Sequence, residues 1–453
     1  NAAALRANVA TARELGLRRR YRTQPIRVGF TYNVKRDDAI EPDSDEHAEW
    51  DPPETITAIS NALARQGHIV VHLEATPDLP RVLAEADVDL IFNIAEGVEG
   101  RNREAQVPAL CELLGIPYTG SDSATLAIAL DKALCKKVLM QHDILTPKFQ
   151  VMETGRERLS SDLSYPLIVK PNAEGSSKGI GSANVVDNEE ELRVAVKALI
   201  ENYRQPALIE EYISGREFTV GLLGDKRPRV LPPMEIRFKD ESEDRPVYDY
   251  KVKQEWEKHV YYECPSRVTP AELKAIEKIA RATFWALDCR DVARVDLRMA
   301  KDGQIYVLEV NPLPGLTPDY SDLILISKAA GMSYDEIIAE VMVGGLKRLR
   351  QKRREEREAE ERKTEARNGS GSGNGNGGAK ASPEDVAAKI ELAAEKAEQA
   401  ADKADKAAKK MAKLARKRPA SAKPSANGTA TNGESGNGNG SGRLTTEAEP
   451  TTH

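Results

Sequence analysis

Hydrophobic and polar positions follow two rhythms along this chain. In the first third, short apolar runs at 26–32, 68–73 and 89–93 read as strands, and helical spacing appears at 54–66 and near 78–86. Parallel strands need a crossover, usually a helix, so this β-α-β-α-β order predicts a parallel, doubly wound sheet. Functional loops of such a sheet gather at the carboxyl ends of its strands, here 31–51 and 94–104. Ahead of it, residues 2–20 read as a short basic helix. From about residue 123 the spacing changes. A helix opening on Asp131-Lys132 leads into strands and a Gly-rich loop, and antiparallel strands are expected over ~211–350.

The densest local pattern lies at 294–311. Arg294-Val-Asp296 and Glu309-Val-Asn311 flank Asp302-Gly303, a strong two-residue hairpin signal. Counting outward from that turn pairs Lys301 with Gln304, Asp296 with Glu309, and Arg294 with Asn311. Alternation puts Arg294, Asp296, Glu309 and Asn311 on one face, and Val295, Leu297, Met299, Tyr306, Leu308 and Val310 on the other. Facing carboxylates repel and destabilise a bare hairpin. A bound cation reverses that penalty, and Asp, Glu and Asn are the hard oxygen donors Mg²⁺ takes beside phosphate. A merely solvated polar face is the ordinary outcome for such a hairpin; the following Asn311-Pro312-Leu313-Pro314-Gly315 and the upstream motifs argue against it here.

Composition narrows the classes. The chain has 453 residues, room for two or three domains, and a formal net charge of −6 that gives no reason to expect nucleic acid. Four cysteines without a CxxC pair and six histidines without metal spacing offer neither a disulfide framework nor a zinc site. No apolar run approaches the ~20 residues of a membrane helix and no leader pattern is visible, so the expectation is a cytoplasmic protein with no membrane partner. Residues 351–367 are almost entirely Arg, Lys, Glu and Ala, and 368–378 form a Gly/Ser/Asn linker. Ser382-Pro383-Glu384-Asp385 then opens an Ala/Lys/Glu helix running to about Arg418. A solvated helix on a tether is the expectation for this tail; a protein partner for it, and a homodimer, are left open.

Two further stretches carry chemistry. Lys170-Pro-Asn-Ala-Glu174-Gly175-Ser176-Ser177-Lys178-Gly179-Ile-Gly181 follows the strand expected at 166–170. It is not a Walker loop, yet its N–H and hydroxyl groups suit phosphate oxygens. Glu210-Glu211-Tyr212-Ile213 through Glu217 joins two strands with backbone able to meet a purine edge and a carboxylate able to hold ribose hydroxyls.

Taken in order, Lys132, the Lys170 loop, Glu210–Glu217 and Arg294-x-Asp296…Glu309-x-Asn311-x-x-Pro314-Gly315 resemble ATP-grasp enzymes, and most of all the D-alanine–D-alanine ligases. Gly115-Ile-Pro-Tyr-Thr-Gly120-Ser121, Tyr248-Asp249-Tyr250…Lys253 and Ala330-Gly331-Met332-Ser333 strengthen the likeness, which covers roughly 25–350. It implies an α/β and α+β ATP-grasp fold: a Rossmann-like first domain over 25–122, a central subdomain over 123–209, a C-terminal subdomain over 210–350, and 351–453 as a low-complexity tail. By resemblance, Lys132 and Lys170 contact ATP phosphates under a flap holding Ser176 and Ser177. Glu210, with Glu211, Tyr212 and Ile213, meets adenine, Glu217 meets ribose, and Leu308 belongs to the nucleotide site. Lys253, Arg294 and Ser176 serve the reacting groups. Asp296, Glu309 and Asn311 hold two Mg²⁺, with Mn²⁺ an alternative. The implied activity is ATP-driven joining of a carboxylate to an amine through an acyl phosphate, on small amino-acid or peptide substrates. A related ligase with another acyl donor, or a nucleotide-binding scaffold that has lost activity, are the alternatives.

The substrate side departs from the family. Its Gly-Gly loop and glutamate after the first strand become Thr31-Tyr32-Asn33-Val34-Lys35-Arg36 and an acidic loop to Asp51. Its histidine-glycine loop becomes 93–104, where Arg101 and Arg103 stand either for an anionic substrate or for loop ion pairs. Its loop tyrosine is Gln254, and an extra residue precedes Ser321.

Overall fold

The structure is a computed structural model that describes residues 25–36, 49–175, 178–240, 245–249, 252–253 and 255–369. The helices expected at 2–20 and 382–418, together with Ser176, Ser177 and Gln254, lie outside the described residues.

Strands β1 (Arg27–Tyr32), β2 (Ile69–Glu74) and β3 (Leu90–Asn93) form a parallel sheet in the order β2-β1-β3, as the sequence rhythm predicts. Helices α1 (Pro53–Arg65) and α2 (Leu79–Glu85) make the crossovers, and α3 (Gln106–Leu114) follows β3. Val28, Phe30, Leu90 and Phe92 on one face and Leu73 and Ile91 on the other are buried in separate clusters, so the sheet is covered on both faces. At the carboxyl ends, the Thr31 hydroxyl donates to Asn93 Oδ1 (2.7 Å) and Gly97 N donates to Asn33 Oδ1 (3.0 Å), pinning the 94–104 loop to the sheet.

Helices α4 (Ser123–Leu130) and α5 (Lys132–Gln141) lead into β4 (Phe149–Met152), β5 (Leu167–Pro171), β6 (Val185–Val186), α6 (Glu189–Tyr203) and β7 (Ala207–Glu211). These four strands form an antiparallel sheet ordered β4-β7-β5-β6, with α6 packed on it.

Between Glu211 and Gly215 the chain crosses to the third sheet. Its strands are β8 (Gly215–Gly224), β9 (Arg229–Val230), β10 (Met234–Phe238), β11 (Val260–Glu263), β12 (Asp291–Ala300) and β13 (Ile305–Asn311), ordered β11-β10-β8-β12-β13 with β9 on β8. Short α7 (Trp256–His259) precedes β11. Helix α8 (Pro270–Ala286) opens on a full capping box, Thr269 with Glu272, and presents Ile276, Ala280 and Phe284 to Phe218, Val295 and Leu297 on the sheet. Burying each such large side chain stabilises by roughly 1.5–3 kcal/mol.

Helices α9 (Asp322–Ala329) and α10 (Tyr334–Gly369) close the described chain. Ile337, Ile338, Val341, Met342, Leu346 and Leu349 of α10 pack into the same core as Val28 and Leu90 of the first sheet. The helix continues past residue 350 as an exposed charged rod. No helix among the described residues is long and apolar enough to cross a membrane.

The β12–β13 hairpin corrects its sequence reading. Ala300 N donates to Gln304 O (2.8 Å) and Gly303 N to Ala300 O (2.9 Å), so Lys301, Asp302 and Gly303 form the turn and Lys301 does not pair with Gln304. Gly303 adopts φ 85°, which glycine tolerates without steric cost. A bulge at Leu308 then restores the count, since Asp296 pairs with Glu309 but Leu297 with Val307. The pairs Arg294–Asn311 and Asp296–Glu309 stand as expected. Tyr306 and Leu308, however, leave the core face to Ile305, Val307 and Val310.

Candidate active site

Helix α5 begins the site. Asp131 caps it, accepting from Leu134 N (2.8 Å), which sets Lys132 in the first turn and Lys136 one turn later on the same face. Lys132 Nζ lies 2.7 Å from Glu309 Oε1 and also donates to the carbonyl of Glu174. Lys136 Nζ reaches Thr146 Oγ1 (2.7 Å) and Glu210 Oε1 (2.9 Å). Lys170, near the end of β5, holds the other oxygen of Glu210 at 2.9 Å. Burial alone would raise the Glu210 carboxyl, but the two ammonium groups outweigh it and hold it at about 2. Burial, with Lys170 nearby, draws Lys136 below the usual lysine range despite Glu210.

The hairpin supplies the second wall. Asp296 receives two hydrogen bonds from Arg294 (3.0 Å each), one from Thr219 Oγ1 (2.6 Å) and one from Asn311 Nδ2 (3.0 Å). Burial opposes ionisation of Asp296, and the Arg294 guanidinium overcomes it. Lys132 does the same for Glu309. The predicted repulsion across the hairpin is thus offset by two cations of the protein itself. Arg294 also lies 3.6 Å from Asp322, whose carboxyl burial pushes up. Among the described residues no group of three His, Cys, Asp or Glu side chains could hold a metal. Asp296 and Glu309 therefore need the Asn311 amide as third donor. Two ionised carboxylates and one amide on one face fit a hard divalent cation.

Between the two antiparallel sheets lies a cleft with apolar walls from Ile168, Ile213, Val247 and Leu308. The Glu211 carboxylate turns away, accepting from Ser164 N (3.0 Å), which leaves the Glu211–Ile213 backbone along the cleft. Glu217 is paired with Arg298, which also donates to Ile213 O (3.1 Å). Lys253 Nζ stands 4.9 Å from the centre of the Tyr248 ring and, like Asp296 and Glu309, lines this cleft.

The structure brings Lys132, Lys170, Glu210, Glu211, Tyr212, Ile213, Glu217, Lys253, Asp296, Leu308 and Glu309 to this one cleft, with Arg294 and Asn311 bonded to Asp296 behind it. Leu308 is there because of the bulge, against the face assigned to it from alternation. The carboxylate of Glu210 holds two lysines. Lys136 and Arg298 escaped the sequence reading, although each lies four residues beyond a singled-out residue on the same face of its element. Arg101 and Arg103 both form ion pairs: Arg101 with Asp131 (2.5 Å), and Arg103 with Glu49 (2.7 Å). In the same loop, burial and the neighbouring Glu49 charge push Glu104 up to about 8, and burial with Glu104 raises Glu96. The Ser321 hydroxyl accepts from Thr317 N (2.9 Å).

Comparison with known proteins gives the chain's family. Residues 138–343 match the family model for the D-ala D-ala ligase C-terminus. A D-alanine–D-alanine ligase of Pelotomaculum thermopropionicum is 32% identical over 314 residues, covering 66% of this chain and 92% of that one. One from Syntrophotalea carbinolica is 36% identical over 287 residues, 63% and 88%. An uncharacterized protein of Sinorhizobium fredii, y4sG, is 37% identical over 253 residues, 56% and 73%. Among solved structures, D-alanine–D-alanine ligase from Bacillus anthracis complexed with ATP superposes with TM-score 0.56 at 26% identity, covering 72% of this chain and 99% of that one. The VanG D-Ala:D-Ser ligase of Enterococcus faecalis shares the fold at TM-score 0.55, 21% identity, 70% and 99% coverage. The chain belongs to the D-alanine–D-alanine ligase family of ATP-grasp enzymes, which are ATP-dependent ligases forming a C–N bond.

Proposed function

We propose that this protein joins a carboxylate to an amine through an acyl phosphate, and that its acyl donor differs from D-alanine. The observation that carries the first part is the Lys132–Glu309 contact at 2.7 Å, which brings the lysine that would face phosphate onto a carboxylate that would face metal. A donor carboxylate oxygen attacks the γ-phosphorus of ATP, and the bond to the bridging oxygen breaks to release ADP. The amine then attacks the acyl carbon, loses a proton, and phosphate leaves with its oxygen. A divalent ion, taken here as two Mg²⁺ with Mn²⁺ able to replace them, would be held by Asp296, Glu309 and Asn311 and neutralise charge on the phosphate oxygens. Lys132, Lys170 and Lys253 orient the phosphates, and Arg294 stabilises charge developing at the acyl centre, so catalysis is mostly positioning and electrostatics. The Glu211–Ile213 backbone meets adenine, with Glu217, aimed by Arg298, at the ribose.

The second part rests on the first-domain loop. Glu96, Glu104, Arg103 and Glu49 cluster where the family carries a histidine-glycine loop and a glutamate; burial and the Glu49 charge hold the Glu104 carboxyl up, and burial and the Glu104 charge hold up that of Glu96. Such a pocket has different charge and shape requirements from one for D-alanine. Phosphate release from ATP, screened across D- and L-amino acids and short peptides, tests both parts. Stimulation by an amino acid or peptide pair other than D-alanine is the expected result. D-alanine alone as best donor would overturn the donor assignment, and no stimulated turnover at all would overturn the ligase reading.

A further inference from the structure

Arg103, on the loop after β3, is buried where three distant segments meet. Its Nη2 lies 2.7 and 2.8 Å from the two carboxylate oxygens of Glu49, and its Nε lies 3.2 Å from one of them. Nη1 donates to the carbonyl of Ala173 (2.8 Å), and Nη2 also reaches Glu174 (3.3 Å). Only 10% of the Arg103 side chain and 7% of the Glu49 side chain are exposed. Glu49 in turn accepts from Gly175 N (2.5 Å). A Cβ at Gly175 would come 2.4 Å from that same carboxylate oxygen, so any side chain there would have to displace the Glu49 carboxylate. Glu174 completes the group, binding Lys178 (2.9 Å) and Gln205 (2.8 Å) through its carboxylate and Lys132 through its carbonyl.

These contacts connect two parts of the molecule that share no sheet. Residues 173–175 follow Lys170 directly and form the base of the Gly-rich loop, whereas Glu49 and Arg103 belong to the first domain. Arg101, two residues away, makes a single pair with Asp131 from an exposed position. Arg103 instead uses its planar fork on several acceptors at once, a geometry lysine cannot reproduce.

We propose that Arg103 is a positioning residue that, through Glu49, ties the base of the phosphate loop to the first domain. The proposal rests on the nucleotide-site reading above.

ATP binding in the presence of Mg²⁺, measured calorimetrically on the full chain, tests this. Arg103→Ala and Gly175→Ala should each weaken ATP binding about tenfold, Arg103→Lys should fail to restore it, and Arg81→Ala, which removes only exposed ion pairs on α2, should change it less than about twofold. Melting temperature without ligand serves as the second readout, since a purely structural role would lower it in step with affinity. Should Arg103→Ala fail to fold, Gly175→Ala decides alone. Affinity within about twofold of wild type in the folded variants overturns the proposal while leaving the nucleotide site standing. Absence of ATP binding by the wild-type chain overturns both.

Discussion

Glu210 and Lys136 form an ion pair at 2.9 Å in which neither side chain is more than 2% exposed. With Lys170 on its other oxygen, Glu210 fixes two cations beside the cleft. Lys136→Met leaves the buried carboxylate with one partner, and breaking a buried pair from one side costs about 3–5 kcal/mol. Urea unfolding should register a loss of that size, together with weaker ATP binding as Glu210, held by Lys170 alone, shifts beside the cleft. Stability within about 1 kcal/mol of wild type would show that the pair is not sealed from water.

Glu309→Gln removes the charge that faces Lys132 and the proposed metal position. Ligation should fall by at least about 100-fold while far-ultraviolet circular dichroism stays unchanged. Normal turnover in this variant would sink the metal assignment.

Glu104 gives the fold a pH signature. Its folded value, about 8, lies above the ~4.3 of an unfolded glutamate, so the folded state holds its proton longer. Its contribution is therefore full below about 4.3 and declines as pH rises toward about 8. Glu104→Gln should match wild type in melting temperature near pH 4 and exceed it increasingly up to pH 8. A constant difference across that range would exclude titration of Glu104 as the cause.

Deleting residues 368–453, which lie beyond the region matched to the family model, should leave turnover near wild type. A large loss would assign the tail to the catalytic unit.

The hairpin shows how far local pattern reaches. Alternation and the Asp-Gly turn paired Asp296 with Glu309 correctly, but two departures cancelled: a turn one residue longer and a bulge at Leu308. A bulge has no period, so Leu308 was assigned to the wrong face even though the family likeness put it at the nucleotide. Lys136 and Arg298 carried a usable signal, four residues beyond Lys132 and Arg294 on the same faces. The role of Arg103 carried none, since its partners come from loops whose approach no local rhythm records.

Chain order and side-chain chemistry alone identified the parallel first domain and the antiparallel sheets after it, and resemblance to ATP-grasp enzymes picked out a set of lysines, carboxylates and one arginine. Those features are written in short-range periodicity and motif spacing, which depend on covalent neighbours. Which charges neutralise which came from packing: Lys132 against Glu309, Lys136 and Lys170 against Glu210, and Arg103 against Glu49. Each of these pairs joins segments remote in sequence, and their energies depend on separation and burial, quantities that exist only once the chain has folded.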